Sequence, residues 1–232
     1  TGGCPRAGGR GVLLHGSCSL LRDLAYDFGG LFKEGRVRIP REELDAVERQ
    51  HIALMVPTWQ EASVIQQMLE HNLDMLAYPR DRYDIFVGTY CNDLETQEKV
   101  DAVERRFKNV HKVVTPTEGP TCKADNLNWI YQGIQVVEER RGRRFDILLM
   151  HDAEDLIHPL ALKLYNYLIP KHDFVQTPVF PLERRLRDLV GATYMDEFTE
   201  HHLKDMLVRE AIGGLVPSAG VGSAFARDSF EE

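Results

Sequence analysis

From Ile52 onward, short apolar runs alternate with stretches whose apolar residues recur three or four positions apart, and this rhythm restricts the fold more than any other feature. The runs are Ile52–Val56 (stopped by Pro57), Tyr83–Val87, Val110–Val114, Ile147–Met150 and Asp173–Gln176. Between them, Val64, Ile65, Met68, Leu69, Leu73 and Leu76 have helical spacing. So do Val100, Val103 and Phe107, and then Leu127, Ile130, Ile134 and Val137. A continuous apolar run fits a strand covered on both faces. Strands separated by whole helices are joined by crossovers, which makes them parallel. The pattern therefore predicts an α/β fold with a mostly parallel central sheet.

Outside this region the pattern is weaker. The glycine-rich start suggests flexibility, Leu20 to Phe32 a short amphipathic helix, and Glu42 to Arg49 a polar helical lead-in. After Pro178, Leu182 to Leu189 is a basic amphipathic stretch and Thr193 to Ile212 a long helix ended by Gly213-Gly214, followed by a short strand at Ala224-Phe225. The expected organisation is a lead-in over 1–50 and one domain over 51–232. The chain starts at Thr1 and ends where a helix begins at Phe230, so it is read as a piece of a longer protein.

A formal net charge of −8 argues against a general nucleic-acid binder. The basic cluster at Arg140, Arg141, Arg143 and Arg144 is read as a solvated helix end, because Glu138-Glu139 precedes it. Cys4, Cys18, Cys91 and Cys122 show no metal spacing, which fits a reduced, cytosol-facing domain. No stretch reaches the roughly 18 apolar residues of a membrane span, which leaves the parent protein's topology open.

In open α/β sheets, ligands sit beyond the carboxyl ends of the strands. There the run Ile147–Met150 breaks into Asp152, Glu154 and Asp155, three acids within four residues. Such a set suits a hard divalent cation that also takes phosphate oxygens. Two of the acids would meet the ion and one would cap the helix near Pro159; a purely capping loop is the other reading. His151 and His158 flank the loop and could ligate a metal, with packing or supporting roles the favoured reading, and His201-His202 is read as a solvated face. After the first run, Thr58 and Glu61 have capping-box spacing, and Glu61 could equally accept hydrogen bonds from a base or ribose. After the second, Asp93 is placed to cap the helix from Leu94, and Asn92 or Asp93 could read a base edge. Lys123 falls in the first turn of a helix, where the dipole opposes a cation. Its presence makes sense if an anion, most simply a phosphate, docks there. Asp125 in the same turn is accounted for by the dipole alone.

With these residues in line, the chain resembles family 2 glycosyltransferases of the GT-A (Rossmann-like, three-layer) fold. Within them it is most similar to the cellulose-synthase-like branch, in particular the bacterial phage-adsorption protein B-type glycosyltransferases. The resemblance runs from about Ile52 onward. It rests on Val56-Pro57-Thr58-Trp59-Gln60-Glu61, Gly88-Thr89-Tyr90-Cys91-Asn92-Asp93, Lys123-Ala124-Asp125-Asn126-Leu127-Asn128, His151-Asp152-Ala153-Glu154-Asp155, Gln176-Thr177-Pro178 and Gly220-Val221-Gly222-Ser223. It implies donor contacts at Thr58, Glu61, Asp93, Lys123, Asp152, Gln176 and Thr177, and Mg2+ or Mn2+ at Asp152, Glu154 and Asp155. Asp152 and Glu154 match the DxD positions, with Glu in place of the second Asp. Gly220, Gly222 and Ser223 would line the acceptor cleft.

What the resemblance implies is a metal-dependent, inverting transfer from a UDP-sugar to a hydroxyl of a glycan or lipid-linked acceptor, in polysaccharide or cell-envelope glycan synthesis. The parent would be embedded at the cytoplasmic face of a bacterial inner membrane, with this fragment itself soluble. The family's catalytic-base motif and its Gln-x-x-Arg-Trp-type motif are expected beyond Glu232, which leaves the fold incomplete at its C-terminal side and the fragment's own activity open. Two other readings remain. A sugar-phosphate nucleotidyltransferase shares the sheet and metal logic, but Pro57 to Glu61 lacks its glycine-rich, basic loop. A non-catalytic nucleotide-sugar-binding or assembly fragment fits the missing base.

Overall fold

The computed structural model of the 232-residue chain describes residues 39–180, 206, 209 and 215–231. Residues 39–177 and 218–232 form one compact unit, and the other unit, 1–38 with 178–217, lies mostly outside the described residues. So do the elements expected over 20–32 and 182–189, and all of 193–212 except 206 and 209. Among the described residues no helix is long and apolar enough to cross a membrane.

The boundary expected at residue 50 falls inside the compact unit. Helix α1 (Arg41–Ala46) buries Leu44 and is tied to the helix Ala161–Leu168, where Lys163 Nζ lies 2.5 Å from Asp45 and the Tyr167 hydroxyl 3.1 Å from Glu43. Beyond it come β1 (Ile52–Pro57), α2 (Ile65–Met75), β2 (Tyr83–Tyr90), α3 (Leu94–Glu104) and β3 (Val110–Thr115). They are followed by α4 (Lys123–Arg141), β4 (Ile147–Met150), α5 (Ala161–Leu168), β5 (Phe174–Gln176), β6 (Ser223–Ala226) and α6 (Arg227–Phe230).

The six strands form one sheet in the order β3-β2-β1-β4-β6-β5. β1 pairs in parallel with β2 and β4, and β2 with β3, as crossover helices require. β6 is the exception: it wedges between β4 and β5, antiparallel to both. The two faces of β1 sort its side chains as the pleat dictates. Ile52, Leu54 and Val56 join Ile65, Leu69 and Leu73 of α2, Val100 and Val103 of α3, and Leu162 and Tyr165 of α5. Ala53 and Met55 join Phe86, Leu148 and, from α4, Ile130 and Ile134. The result is three layers, with the core divided by the sheet.

β2 runs on through Gly88 and Thr89, where the sequence suggests a stop. Gly88 is needed for a close approach rather than a turn. A Cβ there would lie 1.9 Å from Asn126 Oδ1 and 2.7 Å from the Ile130 side chain, so its absence lets α4 lie against the strand.

Candidate functional site

The carboxyl ends of β1, β2 and β4 and the start of α4 lie at one edge of the sheet, and each contributes to one polar cluster. Lys123 opens α4, whose N-cap, Cys122, makes no side-chain capping bond. The Lys123 ammonium donates to Asp152 Oδ1 and, at 2.9 Å, to the Gly220 carbonyl. Three separate segments thus meet at one nitrogen: the first turn of α4, the loop after β4, and the loop before β6. A glycine suits Gly220 on two counts, its φ of +74° and the 3.3 Å that a Cβ there would leave to Lys123 Nζ.

The acid loop is divided in its roles. Asp155 Oδ2 accepts from the Asp152 backbone N–H at 2.8 Å and lies 2.9 Å from Nδ1 of buried His151. Asp155 therefore closes the loop on itself, while Asp152 reaches out to Lys123 and Glu154 is exposed. A residue absent from the sequence expectations holds this loop in place. Asn72 of α2, fully buried, donates to the Asp155 carbonyl at 2.8 Å and accepts from Ile157 N–H at 2.9 Å. Its signal in the sequence is a polar residue on an otherwise apolar helical stripe, between Leu69 and Leu73. His158 is exposed and accepts from Leu160 N–H at 3.2 Å.

Thr58 and Glu61 do not form a capping box, because α2 starts only at Ile65. The buried Thr58 hydroxyl instead donates to the Gly88 carbonyl at 2.8 Å, tying the ends of β1 and β2 together. Asp93 is buried with both oxygens in use. One accepts from Thr96 N–H at 3.3 Å as the α3 cap, the other from Gln60 N–H at 2.6 Å. Asn92 exchanges two bonds with Gly119, at 3.0 and 2.9 Å, which leaves its amide occupied. Gly119 has no room for a side chain, since a Cβ would meet Tyr90 Cγ at 2.5 Å and Trp59 Cζ3 at 2.7 Å. Asp125 accepts from Thr121 at 2.7 Å.

Gln176, Thr177 and Ser223 act on the loop before β6. Gln176 donates to the Val221 carbonyl at 2.8 Å and accepts from Ala219 N–H at 3.0 Å and the Ser223 hydroxyl at 2.6 Å. The Tyr165 hydroxyl of α5 and the Thr177 hydroxyl lie 2.6 Å apart and 3.2 and 3.1 Å from the Gly222 carbonyl, so one donates to that carbonyl and the other to its neighbouring hydroxyl. Burial pushes the Tyr165 phenol up to about 12, which keeps it a donor. Ser223 is wholly buried, so its side chain braces the loop from within rather than facing a cleft. Gly222, also at positive φ (+60°), is buried, whereas Gly220 is partly exposed. Tyr165 gave no functional signal in the sequence, where it reads as one more apolar position of a helix.

Among the described residues, no three His, Cys, Asp or Glu side chains converge closely enough to hold a metal ion by themselves. A magnesium-like ion asks for less, one or two carboxylates with water and phosphate oxygens completing the shell. Asp152 and the exposed Glu154 could supply such carboxylates, while Asp155 commits its Oδ2 to the loop. Their fields reach a common space: burial first, then the charges of Glu154, Asp152 and Asp93, push the Glu61 carboxyl above its ordinary range. Among the described residues, Lys123 is the cation bonded to Asp152.

Residues 49–232 match the family described as "Glycosyltransferase like family 2". Bacteriophage adsorption protein B of Escherichia coli (strain K12) is 47% identical over 190 residues, covering 82% of this chain and 25% of that protein. The bacteriophage N4 adsorption protein B of Escherichia coli O157:H7 gives the same identity and coverage. The chain thus spans about a quarter of the length of the curated relatives it matches. Among solved structures, the mannosyltransferase PcManGT from Pyrobaculum calidifontis, in complex with GDP-Man and Mn2+, is similar in fold. Its TM-score is 0.59 at 18% identity, over 94% of this chain and 54% of that one.

Proposed function

The chain belongs to the family 2-like glycosyltransferases, and from that premise we propose that it forms the donor-binding core of an enzyme that moves a sugar from a nucleotide sugar to a hydroxyl acceptor. The observation that carries the reading is the meeting of Lys123 with Asp152 from separate elements, at the strand ends where α/β sheets bind ligands. In this reading Lys123 and the uncapped first turn of α4 bind the diphosphate. Asp152 and Glu154, at the positions of the DxD motif, hold Mg2+ or Mn2+, and Glu61 lies toward the nucleoside. The ion, when bound, supplies positive charge to a leaving diphosphate.

The acceptor oxygen attacks the anomeric carbon as the bond from that carbon to the diphosphate oxygen breaks, with inversion. The acceptor proton passes to a base, a role assigned to none of the described residues. The Lys123 ammonium offsets charge developing on the departing oxygen. The Gly220 loop, braced by Gln176, Thr177, Tyr165 and Ser223, forms the wall on the acceptor side. Thr58, Asp93 and Asp155 serve by fixing the loops that carry these groups.

The donor is proposed to be a UDP-sugar, by resemblance to the cellulose-synthase-like branch; the GDP-mannose of the Pyrobaculum enzyme makes GDP the natural comparison. The parent protein is proposed to be membrane-embedded and to act in polysaccharide or cell-envelope glycan synthesis. Calorimetric titration of UDP and GDP with and without Mn2+ tests the site. Mn2+ is expected to tighten nucleotide binding at least tenfold in the wild type, and Asp152→Asn to abolish that gain. Nucleotide binding indifferent to both the metal and Asp152 would refute the assignment.

A further inference from the structure

The Lys123 ammonium is bonded to one oxygen of the carboxylate that a divalent cation would require. Neither partner is locked in place: the side chains are 43% and 37% exposed. The Gly220 loop does not depend on the lysine for its shape, since Gln176, Thr177 and Tyr165 hold it from behind. Lys123 is therefore free to leave, and a diphosphate offers it a stronger anion than a single carboxylate does. Two cations cannot share one carboxylate without repelling each other.

We infer that Lys123 and the divalent cation compete for Asp152, and that the nucleoside diphosphate settles the competition by drawing the ammonium onto its phosphates. Cation binding is then coupled to nucleotide binding, and the free chain holds the ion weakly. The same movement releases the Gly220 carbonyl, so arrival of the donor frees a polar group on the acceptor side. The inference rests on the donor-site reading above and adds a coupling between its two ligands.

The experiment titrates Mn2+ into the nucleotide-free chain, reading free ion by electron paramagnetic resonance, and repeats the titration with saturating UDP or GDP. Lys123→Gln is expected to bind Mn2+ alone roughly three- to tenfold more tightly than the wild type, and nucleotide alone more weakly. UDP should tighten Mn2+ binding less in Lys123→Gln than in the wild type, as reciprocal coupling demands. Lys123→Arg, which keeps the charge, should leave Mn2+ binding weak in the free chain. If Lys123→Gln binds Mn2+ alone no more tightly while a nucleotide still binds the wild type, the competition is refuted and the donor site stands. If neither nucleotide binds the wild type, the donor-site reading fails and the inference fails with it.

Discussion

Asp152 and Asp155 share one loop, yet one carboxylate faces out to Lys123 and the other folds back onto the Asp152 backbone and His151. What separates them is Asn72, whose two bonds across the sheet edge set the path of the loop. Spacing alone carries no record of such a distant partner, so the acids were legible as a group but not in their separate roles. Glu61 has a measurable consequence at this scale. Its raised pKa means that the folded chain binds the proton more tightly than the unfolded chain does. Stability from this group is complete below the ordinary Glu value and is lost as pH rises through the elevated one. Glu61→Gln is therefore expected to raise the melting temperature at pH 7, with the difference shrinking as the pH falls below the ordinary Glu value, as calorimetry at pH 7 and at acid pH would record.

The helices and parallel strands were legible because each carries its own periodicity. β1 through β4 and α2 through α4 form where the apolar spacing places them. The seat of β6 was not legible, because pairing depends on what lies beside a strand and not on its four residues. Thr58-x-x-Glu61 misled for a related reason: its spacing suits a cap, but the Thr58 hydroxyl is taken by Gly88, a partner thirty residues away. Gly88 also governs how α4 presents Lys123. In Gly88→Ala the new methyl would overlap Asn126 and Ile130, and α4 would have to move outward. The expected cost is about 2–3 kcal/mol by denaturant unfolding, with nucleotide affinity falling as well because the Lys123 end of the helix shifts.

Across the molecule, the end of the sheet opposite the cluster is closed by a buried ion pair. Arg227, the first residue of α6, lies 2.9 Å from Glu138 of α4, with side chains only 5% and 8% exposed. Arg227→Met would leave the Glu138 carboxylate buried without its partner, and about 3–5 kcal/mol of stability should be lost. Adding Glu138→Gln removes the stranded charge and should restore most of it; chemical denaturation of the two variants checks both values. Nucleotide binding in the double variant should match the wild type, since the change lies at the far end of β6.

That strand connects the two ends directly. Ser223 pairs with Met150 beside the cluster, and Ala226 pairs with Ile147 beside Arg227. β6 is bonded along both edges, to β4 and to β5, so its register is set twice. The stretch from Gly220 to Arg227 therefore has a prescribed length, held at one end by the Gln176 bonds on either side of Gly220 and at the other by Glu138. Loops elsewhere can gain or lose a residue and absorb the change locally. One residue inserted or deleted here would force a choice between the two anchors, so this segment should be the least tolerant of length variation in the unit.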